Sequence, residues 1–187
     1  NGKEAGSHLG GFTAFELDVT DLVQVGKENR IAISVISESL ADSTSSASQY
    51  AVHPLGGLTR DLFLFALPEV NLSMFHASTS FDASYVNAIL KADIEITNES
   101  SAASSGLSLH FTLKDADGKE IQLKQNSCPV QSIAAGATKK AEKSFDIVMP
   151  EKWDSEHPYL YTFTCQLKEG EKVLHETMRR IGFRQVE

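Results

Sequence analysis

The run Leu90-Lys91-Ala92-Asp93-Ile94-Glu95-Ile96 (LKADIEI, residues 90–96) alternates apolar and charged side chains without a break. A strand turns successive side chains to opposite faces, so four aliphatic residues share one face and three charges the other. This is the pattern of a strand with one face in a core and one in water. The same alternation extends outward in both directions. Val70, Leu72 and Met74 precede it; Leu107, Leu109, Phe111 and Leu113 follow, leading into Asp117-Gly118, a hairpin signal, after which Ile121 and Leu123 return. Phe145, Ile147 and Met149 make a later strand, Tyr161, Phe163, Cys165 and Leu167 another, and Val173 opens the last beyond the turn KEGEK. No 3.6-residue periodicity persists for three turns, so the expectation is an all-β chain.

About seven strands in about 120 residues, with turns every 8 to 12 residues, predict an immunoglobulin-like β-sandwich over residues 69–187, without the inter-sheet disulfide of antibody domains. The stretch TNESSAASSG (97–106) is read as a flexible connection within it. Residues 1–68 have a different texture. Phe15, Leu17 and Val19 alternate with Glu16 and Asp18, and Ile31, Ile33 and Val35 repeat the arrangement after turn residues 26–29. SESLADSTSSASQ (37–49) is too poor in apolar residues to pack and predicts a long surface loop. Leu62 to Leu67 are apolar at every position, as in a strand covered on both faces, and Pro68 closes the segment. A domain boundary is therefore expected near Pro68. Asn1-Gly2 is a strong two-residue hairpin signal with nothing before it to form the first strand.

Composition narrows the function classes. The 187 residues suffice for one large domain or two smaller ones, with 41% hydrophobic and 22% charged residues, and no apolar run reaches the length of a membrane-spanning helix. A net charge of −8 with scattered basic residues argues against nucleic acid or anionic lipid as partners. Lys139, Lys140 and Lys143, interrupted by Glu142, read as a solvated strand face. Cys128 and Cys165 form neither a disulfide framework nor a metal-ligand spacing, and Cys165 reads as a small buried hydrophobe. The six histidines are dispersed, and nucleophile elbow, P-loop, dinucleotide, zinc-protease and C-x-x-C motifs are all missing. No metal or cofactor is implied for this chain, and the compartment stays open.

Two motifs hold residues worth following. In GGLTRDLF the side chains of Arg60 and Asp61 point to opposite faces, so each needs a partner elsewhere; Arg60 reads as a structural residue holding loop carbonyls or a domain interface. In PEKWDSEHPYLYTF the sole tryptophan, Trp153, could stack on a sugar ring, but the favoured role is structural, capping the end of the sandwich, with Tyr159 or Tyr161 as a tyrosine corner.

Together these residues resemble glycoside hydrolase family 2, the family of β-galactosidases, β-mannosidases and β-glucuronidases. NGKEAGSHLGGFTAFELDVTDLV followed by GKENRIAISV resembles the second half of that family's sugar-binding domain, GGLTRDLFLFALPEV its Gly-Gly-Ile-x-Arg strand, and WDSEHPYLYTF with IGFRQVE the end of its second domain. The resemblance implies a partial jelly-roll β-sandwich over residues 1–68, truncated of its first half, followed by the immunoglobulin-like sandwich. It also implies a catalytic (β/α)8 barrel in cis, outside this chain, carrying the acid/base and nucleophile glutamates of a retaining enzyme. No catalytic residue is then expected here. The loop before the Gly-Gly strand can reach the active site in such enzymes through an Asp followed by an aromatic. SSASQYAVHPLGGL lacks that Asp, which leaves Tyr50 and His53 as the substrate-proximal candidates. The resulting expectation is a non-catalytic piece of a β-galactosidase-like enzyme with a carbohydrate substrate. An autonomous carbohydrate-binding or adhesion module is the alternative. The uncompleted apolar faces of residues 1–68 predict self-association.

Overall fold

The computed structural model describes residues 1–10, 13–36, 57–58 and 60–185. Two compact units divide the chain, Asn1–Leu64 and Phe65–Glu187.

In the first unit the described backbone forms a single 3-10 turn, Thr20–Leu22, and no paired strand. Asp18 starts that turn by accepting the Thr20 amide (2.9 Å) and hydroxyl (2.6 Å), which holds its carboxyl below the usual range. Asn29 closes the next turn: its Oδ1 accepts the Gln24 amide and its Nδ2 donates to the Gln24 and Lys27 carbonyls. Asn1 fits onto this knot, its Nδ2 donating to Asn29 Oδ1 and the Leu22 carbonyl while its Oδ1 accepts the Arg30 amide. Asn1 thus docks the start of the chain on residues 22–30. The strands expected at 15–19, 31–35 and 62–67 form no ladder among the described residues, a correction with a plain cause: a ladder needs a neighbour, and the described residues supply none. Leu62 to Leu64, expected to be covered on both faces, are exposed, Phe63 to 76%. The predicted loop at 37–49 lies outside the described residues.

The second unit is a two-layer antiparallel sandwich. One sheet has the order β1 (Val70–Phe81), β2 (Ala88–Asn98), β6 (Thr138–Ile147). The other runs β4 (Glu120–Ile121), β3 (Leu107–Lys114), β7 (Tyr161–Glu169), β8 (Lys172–Ile181), with the short β5 (Ser127–Val130) sharing the outer edge of β3 with β4. Two sheets of three and five strands in this order have the immunoglobulin-like arrangement.

Alternation does what it predicted in β2, where Leu90, Ala92, Ile94 and Ile96 are buried. Their charged neighbours pair on the outer face, Lys91 with Asp93 (2.9 Å) and Glu142 (3.2 Å), Lys140 with Glu95 (3.0 Å). Between the layers Phe163 of β7 meets Phe111 of β3 (5.9 Å), Phe75 of β1 (5.3 Å) and Phe145 of β6 (5.9 Å). Cys165 beside them is fully buried, and burial pushes its thiol up to about 12, which makes it a packing residue.

Three local expectations are corrected. A bulge between Leu72 and Met74 shifts the face of β1, so Phe75 is buried and Met74 turned out. β6 ends at Ile147, leaving Met149 off the strand and exposed. Residues 97–106 are tied down by Asn98, fully buried, whose Nδ2 donates to the carbonyls of Ala102 (2.8 Å), Ile133 (3.0 Å) and Ala134 (3.2 Å) while its Oδ1 accepts the Ser100 amide and hydroxyl.

Where β1 lies against β8, the Leu72 amide donates to His175 Nδ1 at 2.9 Å. That nitrogen must stay bare to accept, and burial holds the imidazole below its ordinary 6.5. Folding therefore favours the neutral ring. Its contribution is complete above the unfolded value near 6.5 and disappears as pH falls through the lower folded value. The urea midpoint should drop between pH 7.5 and 5. His175→Gln, whose amide oxygen can still accept, should drop less over the same range; equal drops would dismiss the contact as the cause.

Candidate functional site

Strand directions bring four segments to one end of the sandwich: the β1–β2 hairpin loop (82–87), the β3–β4 turn (115–119), the long β6–β7 connection (148–160) and the C-terminal segment 182–185. Each is fixed by a polar side chain from its own sequence.

Asp82 builds the hairpin loop. Its carboxylate accepts the amides of Ser84, Val86 and Asn87, the Ser84 hydroxyl and the Asn87 side-chain amide, which together hold its pKa far below the usual range. The turn Asp115–Lys119 is organised likewise, with Asp115 accepting the Asp117 and Lys119 amides and Gly118 supplying the positive φ of 82°. Asp154 accepts the amides of Glu156 and His157 and so folds DSEHP; the His157 amide is the main cause of its lowered pKa. Tyr161, at the start of β7, is buried and its hydroxyl accepts the Glu151 amide at 2.9 Å, tying the connection back to the sheet. This is the geometry of a tyrosine corner. Burial raises its phenol pKa.

Trp153 clamps the departing chain. Its amide donates to the Phe183 carbonyl at 2.9 Å, and the Arg184 guanidinium lies 5.0 Å from its ring. Gly182 makes the approach possible: a Cβ there would sit 2.6 Å from Trp153 Cβ and 2.7 Å from Cγ. The Thr79 hydroxyl bonds the carbonyls of Gly182 and Arg184, and the Phe81 amide donates to Gln185 Oε1 at 3.0 Å. The indole is thus engaged on the protein's own segment 182–184.

Two shallow grooves open here. One is lined by Asp115, Ala116, residues 157–160, Thr162 and Arg180; the other by residues 76–79, Arg180, Ile181, Gly182 and Arg184. The first holds one carboxylate, Asp115, and the second none. No group of three or more His, Cys, Asp or Glu side chains suited to a metal occurs among the described residues.

Of the residues singled out from sequence, Trp153 and Tyr161 meet at this end, Arg60 is exposed in the first unit, and Tyr50 and His53 lie outside the described residues. Sequence reasoning missed Arg180, which lines both grooves, and Gly182, whose role exists only through a tryptophan 29 positions earlier. Gly182→Ala should overpack this contact at a cost of about 1–3 kcal/mol, read as a lower urea midpoint followed by Trp153 fluorescence. An unchanged midpoint would mean that the indole gives way freely.

The model of the family described as glycosyl hydrolases family 2 matches residues 70–184. A protein of Formosa agariphila named "Putative beta-glucuronidase" is 32% identical over 98% of this chain, which covers 21% of that protein. A β-galactosidase of Priestia megaterium is 29% identical over the whole chain, which covers 18% of it. The solved structure of a family 2 glycosyl hydrolase from Bacteroides cellulosilyticus superposes with a TM-score of 0.79 over 98% of this chain and 24% of its own, at 23% identity. The chain spans about a fifth of the length of the curated relatives it matches. Among the described residues no helix is long and apolar enough to cross a membrane.

Proposed function

We propose, since the chain belongs to glycosyl hydrolases family 2, that it is a non-catalytic supporting part of a retaining β-glycosidase of the β-galactosidase type. One observation carries the non-catalytic role. Retaining glycosidases need two carboxyl groups about 5–5.5 Å apart across the scissile bond, whereas the grooves at the end of this sandwich hold a single carboxylate between them. Its side chains there are spent on holding backbone: Asp82, Asp154 and Tyr161 each organise a connection, and Trp153 lies against segment 182–184. Such a rigid end suits a support for a catalytic barrel in cis and for the wall of its sugar pocket. The chain itself then needs no cofactor.

The β-galactoside preference is supported by relatives named as β-galactosidases, from Priestia megaterium and Clostridium acetobutylicum among others, that align over the whole chain. The reading as an autonomous sugar-binding module is weakened by Trp153, since the one indole is held against Arg184 and Gly182.

Chromogenic β-galactoside and β-glucuronide offered to the 187-residue chain and to the full-length protein test this directly. We expect no turnover by the chain, and turnover of the galactoside by the full-length protein. Hydrolysis by the chain alone would end the non-catalytic reading, and exclusive turnover of the glucuronide would reassign the sugar.

The first unit supports a second proposal, self-association of the isolated chain. Phe15, Ile31, Ile33, Leu62, Phe63 and Leu64 are exposed on backbone that forms no ladder among the described residues, a combination that invites edge pairing. Light scattering should show mass rising with concentration; a monomer throughout would count against it.

A further inference from the structure

The two sides of the sandwich are finished differently. On one side β1 and β8 are tied together, by the Leu72 amide to His175 and by the Thr79 hydroxyl to the carbonyls of Gly182 and Arg184. On the other side β6 ends its sheet. Among the described residues it pairs with β2 alone, so about half of its backbone hydrogen-bonding groups face away from the ladder. An edge of this kind is a template for a further strand, and β6 carries Phe145 and Ile147, residue types that favour strands.

Register shows what this edge turns toward the core. Ile147 and Phe145 lie opposite Ala88 and Leu90; the next positions on that face are Lys143 opposite Ala92, Ala141 opposite Ile94 and Lys139 opposite Ile96, and every one of these β2 partners is buried. The three lysines that read from the sequence as one solvated face are therefore divided. Lys140 is on the outer face and pairs with Glu95, whereas Lys139 and Lys143 are half-buried on the inner face and make no ion pair among the described residues. A lysine can lay its stem over a core while its ammonium stays at the rim. Lys139 Nζ donates to Gln131 Oε1 just past β5, and Lys143 Nζ lies 5.9 Å from the centre of the Phe145 ring. The Lys143 charge is also near enough to Cys128 of β5 to oppose the rise that burial gives that thiol. The facing edge of the other sheet is blunted by other means: β4 has two residues, β5 four, and Pro129 within β5 has no amide hydrogen to offer.

We propose that Lys139 and Lys143 guard the β6 edge, their inward-facing charges keeping it from pairing with the β6 of a second copy of this chain. Two β6 strands joined edge to edge would continue one inner face across both copies and draw these ammonium groups out of water without a carboxylate to meet them. Lys140, on the outer face, would remain solvated in such a pair and exerts no such control. The inference concerns the second unit by itself and does not depend on the glycosidase reading. Hydrogen exchange on the 187-residue chain, followed as its concentration is raised, tests it. In the Lys139→Val/Lys143→Val variant the amides of 138–147 should slow about ten-fold or more with concentration. In the unaltered chain, in Lys140→Val and in Lys139→Glu/Lys143→Glu they should exchange at one rate throughout. Association through the first unit would slow amides of 13–36 and leave these unchanged. A β6 that stays unprotected in the double valine variant would overturn the proposal, as would protection of 138–147 that rises with concentration in the unaltered chain or equally in the glutamate variant. A cooperative urea transition shows that the valine variant is folded; without one, Lys143→Val alone is read in the same way.

Discussion

Phe163 joins the two layers, and the rest of the second unit is arranged around that contact. Its ring meets aromatic rings from three other strands, two of them in the opposite sheet. Tilted, edge-to-face and stacked pairs of this kind add to the burial of large apolar area, so the cluster fixes the separation and relative slide of the sheets. The bulge in β1 belongs to the same constraint. Without the shift between Leu72 and Met74, Phe75 would point to solvent and Phe163 would lose a neighbour.

A packed middle leaves the connections to be solved by polar side chains, and each is solved locally. Asn98 satisfies three carbonyls and accepts two donors at one end, a buried network with every hydrogen-bonding position of that side chain occupied. Asp82, Asp115, Asp154 and Tyr161 perform comparable work at the other. The consequence for function is rigidity. An end whose loops are tied to their own backbone can present Met149 and Tyr85 in costly conformations without collapsing over them.

The first unit shows the opposite economy. Its turns are well made, with Asn29 and Asp18 each closing several hydrogen bonds, yet its extended segments leave large apolar residues in solvent. Among the described residues of that unit the turns are closed and no ladder is formed. The family 2 relative of Formosa agariphila and the superposed structure are several times longer than this chain.

Much of this was legible in the residues themselves. Alternation at Leu90–Ile96, Leu107–Leu113 and Tyr161–Leu167 determined strand, face and fold class, because period 2 is a property of the backbone that burial on one face writes directly into the order of residues. The motifs around Trp153 and at IGFR located the family. What period 2 cannot carry is where it slips or stops: the bulge after Leu72, the end of β6 at Ile147 and the left-handed Met149 arise from fitting one layer against another. Contacts between distant positions are equally silent in a single sequence. Gly182 is needed because of Trp153, His175 is a strut because of the Leu72 amide, and Arg180 is a candidate because four loops converge beside it. The sequence alone determined which face of each strand is apolar, whereas only the tertiary structure decided which apolar faces found a partner, since that depends on neighbours the local pattern does not name.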